Sequence, residues 1–335
     1  VEQVRGWPQK SNPQIPSPAA IYGSERRNSR GMDLTAMSQL LPARANMQRW
    51  LQTLPRQRES RGETLEIRNP ARHGELIGTV SLADASALTA AVDRADAAFT
   101  SWAATGPAER AAIIGRFADA LETHRDELIA LCCKEAGKTI ADGVAEVREA
   151  VDFCRYYAAR AVAADYPGRG LKPRGVAVCI SPWNFPLAIF LGQVTAALVV
   201  GNTVVAKPAE QTSLVALRAG ELLGESGLPD GVLEVVVADG RTAGEALIPD
   251  PRVQVVMFTG STETGTWISR RLAARPDAPI PWIAETGGPN CRVVDSTAVP
   301  EQVVDDVIAS GFPCAGQRCS GRGGGLLQGG LAETV

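Results

Sequence analysis

A chain of 335 residues, 45% hydrophobic and 21% charged, is long enough for two domains with a sizeable core, and a formal net charge of -3 gives no basic surplus for nucleic acid. Seven cysteines (Cys132, Cys133, Cys154, Cys179, Cys291, Cys314, Cys319) make an odd set without a CxxC pair, and the two histidines are His73 and His124. That pattern argues against a disulfide framework, a metal site and a Cys–His dyad, and for a reducing, cytoplasmic compartment.

The N-terminus, Val1 to Arg5, lacks the apolar core of a signal peptide. Residues 1–55 are rich in Pro, Arg and Asn, including Asn12-Pro13, Ile15-Pro16 and Ser17-Pro18. Proline at this density fixes φ and removes donors, so an extended arm is expected, with a short helix over Leu34 to Leu54. From Glu63 to Leu82, alternating apolar residues punctuated by Asn69-Pro70 and His73-Gly74 predict a β-hairpin with His73 in a turn. Three helices are expected next. The first is capped by Asp84 and runs to about Ala104. The second opens at Pro107, ends at Gly137 and carries Cys132 and Cys133 as packing residues and an exposed His124. The third covers Ile140 to Ala164, with Glu146, Glu149 and Tyr156 on it.

From Gly175 onward strands and helices alternate. Fully apolar strands are expected at 176–180, 203–206, 232–238, 253–258 and 281–284. The run from Leu187 to Ala206 has the length of a membrane span, but Gln193, Gly201 and Asn202 interrupt it, and a buried helix followed by a strand accounts for it better. Alternation of this kind predicts an α/β fold with a doubly wound, Rossmann-like parallel sheet, which binds ligands beyond the carboxyl ends of its strands.

The turns at those ends are polar or glycine-rich. Ser181-Pro182-Trp183-Asn184-Phe185-Pro186 is a rigid turn whose Asn184 amide suits an oxyanion; a packed turn reads equally well. Lys207-Pro208-Ala209-Glu210 either holds ribose hydroxyls, favouring NAD over NADP, or is a surface ion pair. Gly260 and Ser261, at the opening of a helix, suit a pyrophosphate. Glu285 leads the Gly287-Gly288 turn and is either a general base or a strand-end cap. Near the chain's end, Gly316-Gln317-Arg318-Cys319-Ser320 offers Cys319 as a nucleophile.

Taken together, PWNFP at 182–186, KPAE at 207–210, FTGSTETG at 258–265, ETGG at 285–288 and GQRCS at 316–320 resemble the aldehyde dehydrogenase superfamily, from about Glu63 to Ser320. The closer likeness is to the pyrroline-5-carboxylate (L-glutamate γ-semialdehyde) dehydrogenase module of bifunctional proline utilisation A. It is carried also by Asn12 to Gly23, Arg26-Arg27-Asn28-Ser29 and Asp152 to Tyr157.

The resemblance implies an NAD-dependent enzyme of proline catabolism. Cys319 would attack the aldehyde and Asn184 stabilise the oxyanion, with Glu285 activating water. Ser181, Pro182, Trp183, Lys207, Glu210, Gly260, Ser261 and Gly287 would line the cofactor site, and Phe185, Ser320 and Glu149 would face the substrate. It further implies an arm at 1–55 leading from a proline dehydrogenase, an NAD-binding domain at 56–290, and the start of a catalytic domain at 291–335 without the family's remaining catalytic residues and oligomerisation strand. An NAD-binding module without turnover and an enzyme for another aldehyde are the alternatives. The chain departs from the family pattern at Pro289-Asn290-Cys291, at Cys314, and at Gly321 to Gly325, where each strand glycine costs roughly 0.5–1 kcal/mol relative to Ala.

Overall fold

The structure is a computed structural model that describes residues 14–54, 56–57, 63–164 and 168–330. Asn12-Pro13 and the chain's last five residues lie outside the described residues.

Residues 14–36 form an extended arm that holds one short 3-10 turn, Pro18–Ala20, and leads into α1 (Met37–Leu51). Strand β1 (Arg56–Gln57) runs parallel to β3 (Arg72–Ser81), whose other edge carries the antiparallel β2 (Thr64–Asn69). The expected hairpin is therefore present, but its turn is Pro70-Ala71, and His73 is an exposed residue inside β3. Pro70 fixes the φ of the turn and Asn69 Oδ1 accepts from Ala71 N at 2.9 Å, so the reversal is complete before His73.

Helix α2 (Ala85–Ala104) starts where Asp84 Oδ1 accepts from Ala87 N at 2.8 Å. The single helix expected from Pro107 to Gly137 is two, α3 (Pro107–Thr123) and α4 (Arg125–Glu135). They break at His124, whose ψ of 15 leaves the α region and whose ring meets Glu127 at 2.9 Å. Gly137, at φ +68, ends α4. Helix α5 (Ile140–Ala163) follows, capped by Thr139.

The rest of the sheet is built from β4 (Val176–Ile180), α6 (Ala188–Val199), β5 (Thr203–Lys207), α7 (Ser213–Glu225), β6 (Leu233–Val235), α8 (Gly240–Leu247), β7 (Val253–Gly260), α9 (Thr262–Ala273) and β8 (Trp282–Thr286). The strand order is β6-β5-β4-β7-β8, all parallel. Alternate residues serve opposite faces. Val176, Val178, Val205 and Val256 pack under α2, α8 and α9; Ala177, Cys179, Val204 and Ala206 pack under α3 to α7. Both faces of β4, β5 and β7 are covered, which is why those strands read as apolar runs, whereas the edge strand β8 leaves Ile283 exposed. The order reverses at β4, and that switch point is where such sheets open a crevice.

After β8 come β9 (Asn290–Val294), α10 (Pro300–Gly311) and β10 (Arg322–Leu327), which pairs parallel with β9 in a separate two-stranded sheet. The glycine run does form a strand, with a register irregularity between Arg322 and Gly324. Its small cluster contains Val294 and Val303, while Val293, Ile308, Phe312 and Leu326 are exposed.

The arm packs on α3 and α5. Arg26 Nη1 and the Ser29 hydroxyl donate to Asp152 at 2.9 and 2.6 Å, and Arg155 donates to the Asn28 carbonyl, Glu122 and Asp119. Asn28 and Ser29 are buried by these contacts. Among the described residues no helix is long and apolar enough to cross a membrane.

Candidate active site

A cleft of about 660 Å³ opens at the carboxyl ends of β4, β5, β7 and β8, within the size range of cofactor sites. Each strand end delivers one of the turns singled out in the sequence. Ser181, Pro182, Trp183 and Asn184 come from the turn after β4, and Lys207 from the end of β5. Gly260 and Ser261 come from β7 and the start of α9, Glu285 and Gly287 from β8, and Cys319 from the segment before β10. Residues more than a hundred positions apart therefore meet around one space because the parallel sheet aligns all its carboxyl ends.

Lys207 Nζ pairs with Glu210 Oε2 at 2.6 Å, and the lysine side chain is only 5% exposed. A surface ion pair is thus the wrong description: the charge sits in the cleft wall, and Glu210 reaches it from a 3-10 turn at Glu210–Thr212. Ser261 is the N-cap of α9; its Oγ accepts from Thr264 N at 3.1 Å and donates to Thr264 Oγ1. The positive end of the α9 dipole faces the cleft there. Opposite, Asp239 caps α8, and its bonds from Thr242 and Arg241 hold its carboxyl below the ordinary range. Gly244 of α8 lies against the Trp267 indole, where an added Cβ would stand 2.6 Å from the ring, so only glycine lets α8 and α9 approach this closely. The glycine-lined wall, the buried lysine and the helix N-terminus fit the diphosphate and ribose groups of a dinucleotide.

Strand β8 runs two residues past the expected 281–284, so Glu285, which leads the double-glycine turn, still lies within it, paired opposite Thr259 of β7. The ladder to β7 holds its backbone, and the residue lines the cleft.

Cys319 and Cys291 are the two exposed thiols, and Cys319 alone of these lines the cleft. Burial raises the other group: Cys133 to about 11, Cys154 to about 12, and Cys132 and Cys179 well above the ordinary thiol value. Those thiols stay protonated and unreactive. The Asn184 amide donates to the Gln317 carbonyl at 2.7 Å, which binds the β4 turn to the Cys319 segment and leaves its second N–H without a partner among the described residues.

Three expected substrate residues stand outside the cleft lining. Phe185 is buried beneath it, with the Arg318 guanidinium 5.2 Å from its ring centroid and Lys138 Nζ 4.2 Å away on the same ring. Glu149 is exposed on α5; crowding by the protein raises its carboxyl against the charges of Arg318 and Lys138. Ser320 is exposed beside Cys319. A second cavity of about 510 Å³ shares Trp183, Asn184 and Gln317 with the cleft.

Sequence reasoning missed Asn290. Its side-chain amide donates to the carbonyls of Cys319 at 2.6 Å and Gly321 at 3.1 Å, so β9 grips the cysteine segment directly. The signal was an amide at the first position after a Gly-Gly-Pro turn. It also missed the buried Lys138–Glu146 pair, which lies 3.0 Å apart.

A family model for the aldehyde dehydrogenase family matches residues 57–335. The chain belongs to the aldehyde dehydrogenase family. It is 46% identical over 328 residues to the bifunctional protein PutA of Escherichia coli (strain K12), covering 95% of this chain and 25% of that one. It is 40% identical over 267 residues to 1-pyrroline-5-carboxylate dehydrogenase of Anoxybacillus flavithermus, covering 75% of this chain and 52% of the relative. Among solved structures, 1-pyrroline-5-carboxylate dehydrogenase from Thermus with bound NAD superposes at a TM-score of 0.88 with 30% identity, over 92% of this chain and 64% of that one. The chain spans about a quarter of the length of that PutA and about half of that 1-pyrroline-5-carboxylate dehydrogenase.

Proposed function

We propose that this chain carries the NAD site and the reacting cysteine of an L-glutamate γ-semialdehyde dehydrogenase, acting in proline catabolism. The observation that carries the reading is the convergence of Asn184, Lys207, Ser261, Glu285 and Cys319 on one cleft at the switch point of the sheet. Relatives named PutA and 1-pyrroline-5-carboxylate dehydrogenase support the substrate, and the NAD-bound structural neighbour supports the cofactor. The same reading divides the chain into an arm at 1–55, a cofactor domain at 56–290 and the beginning of a catalytic domain at 291–335. It sets the chain in the cytoplasm beside a proline dehydrogenase; seven free thiols support a reducing compartment.

In the proposed chemistry the Cys319 thiol gives its proton to solvent and the thiolate sulfur bonds to the aldehyde carbon, while the C=O π pair moves onto the oxygen as negative charge. The second N–H of the Asn184 amide and the Cys319 backbone N–H bind that oxygen; one such donor is worth about 10²–10³ in rate. Lys207, Glu210 and the α9 N-terminus would hold NAD⁺, which would supply the hydride acceptor that takes the carbon bonded to Cys319 to the thioester level. Glu285 then takes a proton from water as the water attacks the thioester carbon, releasing glutamate and the free thiol. Arg318 lines the cleft beside Cys319, and the reading keeps Phe185, Glu149 and Ser320 as substrate-side residues, which the likeness to the relatives supports.

Calorimetric titration with NAD, run beside a semialdehyde-dependent NADH assay, tests this. Binding together with NADH formation supports the enzyme; binding without NADH selects a cofactor module; absence of binding refutes the reading.

A further inference from the structure

The Asn184–Gln317 bond joins the β4 turn to the Cys319 segment at one point, and the catalytic reading does not explain what supports that join from beneath. The two sides come from segments that share no element: Asn184 lies between β4 and α6, Cys319 between α10 and β10. Beneath both lies a buried ion pair that belongs to neither. Lys138 follows the Gly137 turn at the end of α4, and Glu146 is on α5; their side chains are 3% and 0% exposed, with Nζ and Oε1 3.0 Å apart. Burying two charges is costly, so such a pair persists where each end has further work.

Each end has a second contact. Glu146 Oε2 accepts from Ala188 N at 2.7 Å, the first residue of α6, four positions beyond Asn184. Lys138 Nζ lies over the Phe185 ring at 4.2 Å and within 3.3 Å of Cys314 Sγ, five positions before Cys319. One end therefore grips the Asn184 turn and the other grips the cysteine segment. The segment needs gripping: Cys314 and Ala315 adopt positive φ of 53 and 56, a conformation that strains residues other than glycine. Burial works against the Lys138 charge, but the Glu146 carboxylate and Cys314 keep its pKa above the ordinary lysine value, so the cation persists.

We propose that Lys138 and Glu146 are positioning residues that fix the Asn184 amide against Cys319, with Cys314 as the contact on the cysteine segment. The inference rests on the Cys319 reading given above. Either residue changed alone leaves an uncompensated buried charge, so the variant to make is the double Lys138→Met/Glu146→Gln, which is neutral, similar in volume, and retains an acceptor for Ala188 N.

The experiment compares that chain, a Cys314→Ala chain and the wild type. It reads NAD affinity by calorimetry, alkylation rates of Cys319 and Cys291 by iodoacetamide with peptide mass spectrometry, and kcat and KM for the semialdehyde. In the double variant NAD affinity is expected within twofold of wild type. Cys319 alkylation falls at least tenfold towards the Cys291 rate, and kcat falls in the same ratio with KM within threefold. Cys314→Ala gives a loss of threefold or more in the same two rates. Unchanged Cys319 alkylation and kcat in a double variant that binds NAD would overturn the proposal. Should the double variant not bind NAD, unchanged rates in Cys314→Ala would overturn it equally. Failure of the Cys319 reading is separate: it shows in the wild-type chain, as Cys319 alkylating no faster than Cys291.

Discussion

Glu135 closes α4 and is fully buried, yet its carboxylate receives two backbone N–H groups, Leu214 at 2.6 Å and Val215 at 3.0 Å. These are orphan donors in the first turn of α7, so a side chain from another helix caps α7, just after the Lys207–Glu210 turn. Replacing Glu135 by Ala leaves both N–H groups buried and unpaired. At about 1–3 kcal/mol each, the expected loss is about 2–6 kcal/mol.

Burial pushes the Glu135 carboxyl up to about 8, against those two hydrogen bonds. The unfolded carboxyl titrates near its ordinary 4.5. Between these values the folded chain holds the proton and the unfolded chain does not. This contribution is therefore complete below pH 4.5 and declines by about 1.4 kcal/mol per pH unit until the folded group ionises. Urea unfolding of the wild type and of Glu135→Gln from pH 5 to 8 reads it. The wild-type stability minus that of Glu135→Gln should fall as pH rises. A difference that stays flat, or rises, would refute the assignment, as would a loss below 1 kcal/mol in Glu135→Ala.

Asn290→Ala removes both bonds to the cysteine segment. At roughly 0.5–1.5 kcal/mol net for each, it should cost about 1–3 kcal/mol of local stability and speed amide exchange in residues 317–322; exchange mass spectrometry checks this, with the β4 and β7 strands as unchanged controls. Arg155→Met breaks a nearly buried guanidinium's contacts with Glu122, Asp119 and the Asn28 carbonyl. A loss of about 1–3 kcal/mol is expected, with faster exchange in arm residues 26–30.

The sheet was legible because each buried strand is a short apolar run stopped by a polar or glycine-rich turn, and local sequence alone sets both features. The site followed, since a parallel sheet must bring its turns to one edge. Hidden features depend on partners distant in sequence. The break at His124 interrupts a helix whose apolar spacing continues on both sides of it. Arm docking rests on Asp152 and Arg155, whose acceptors and donors lie more than a hundred positions away in the arm. The exposed strand-end setting of Glu285 depends on how far the β7–β8 ladder extends, which a glycine pair downstream does not reveal. Lys138 and Glu146 look like ordinary helix-end and helix-face charges until packing buries them.

The central claim is that Cys319 forms the bond to substrate and Glu285 releases it. The direct measurement is peptide mass spectrometry of a Glu285→Gln chain incubated with NAD and glutamate semialdehyde. The expected result is a thioester-linked glutamyl group on Cys319 that accumulates because water is no longer activated. An unmodified Cys319, or the same group on Cys291 or Cys314 instead, would contradict it.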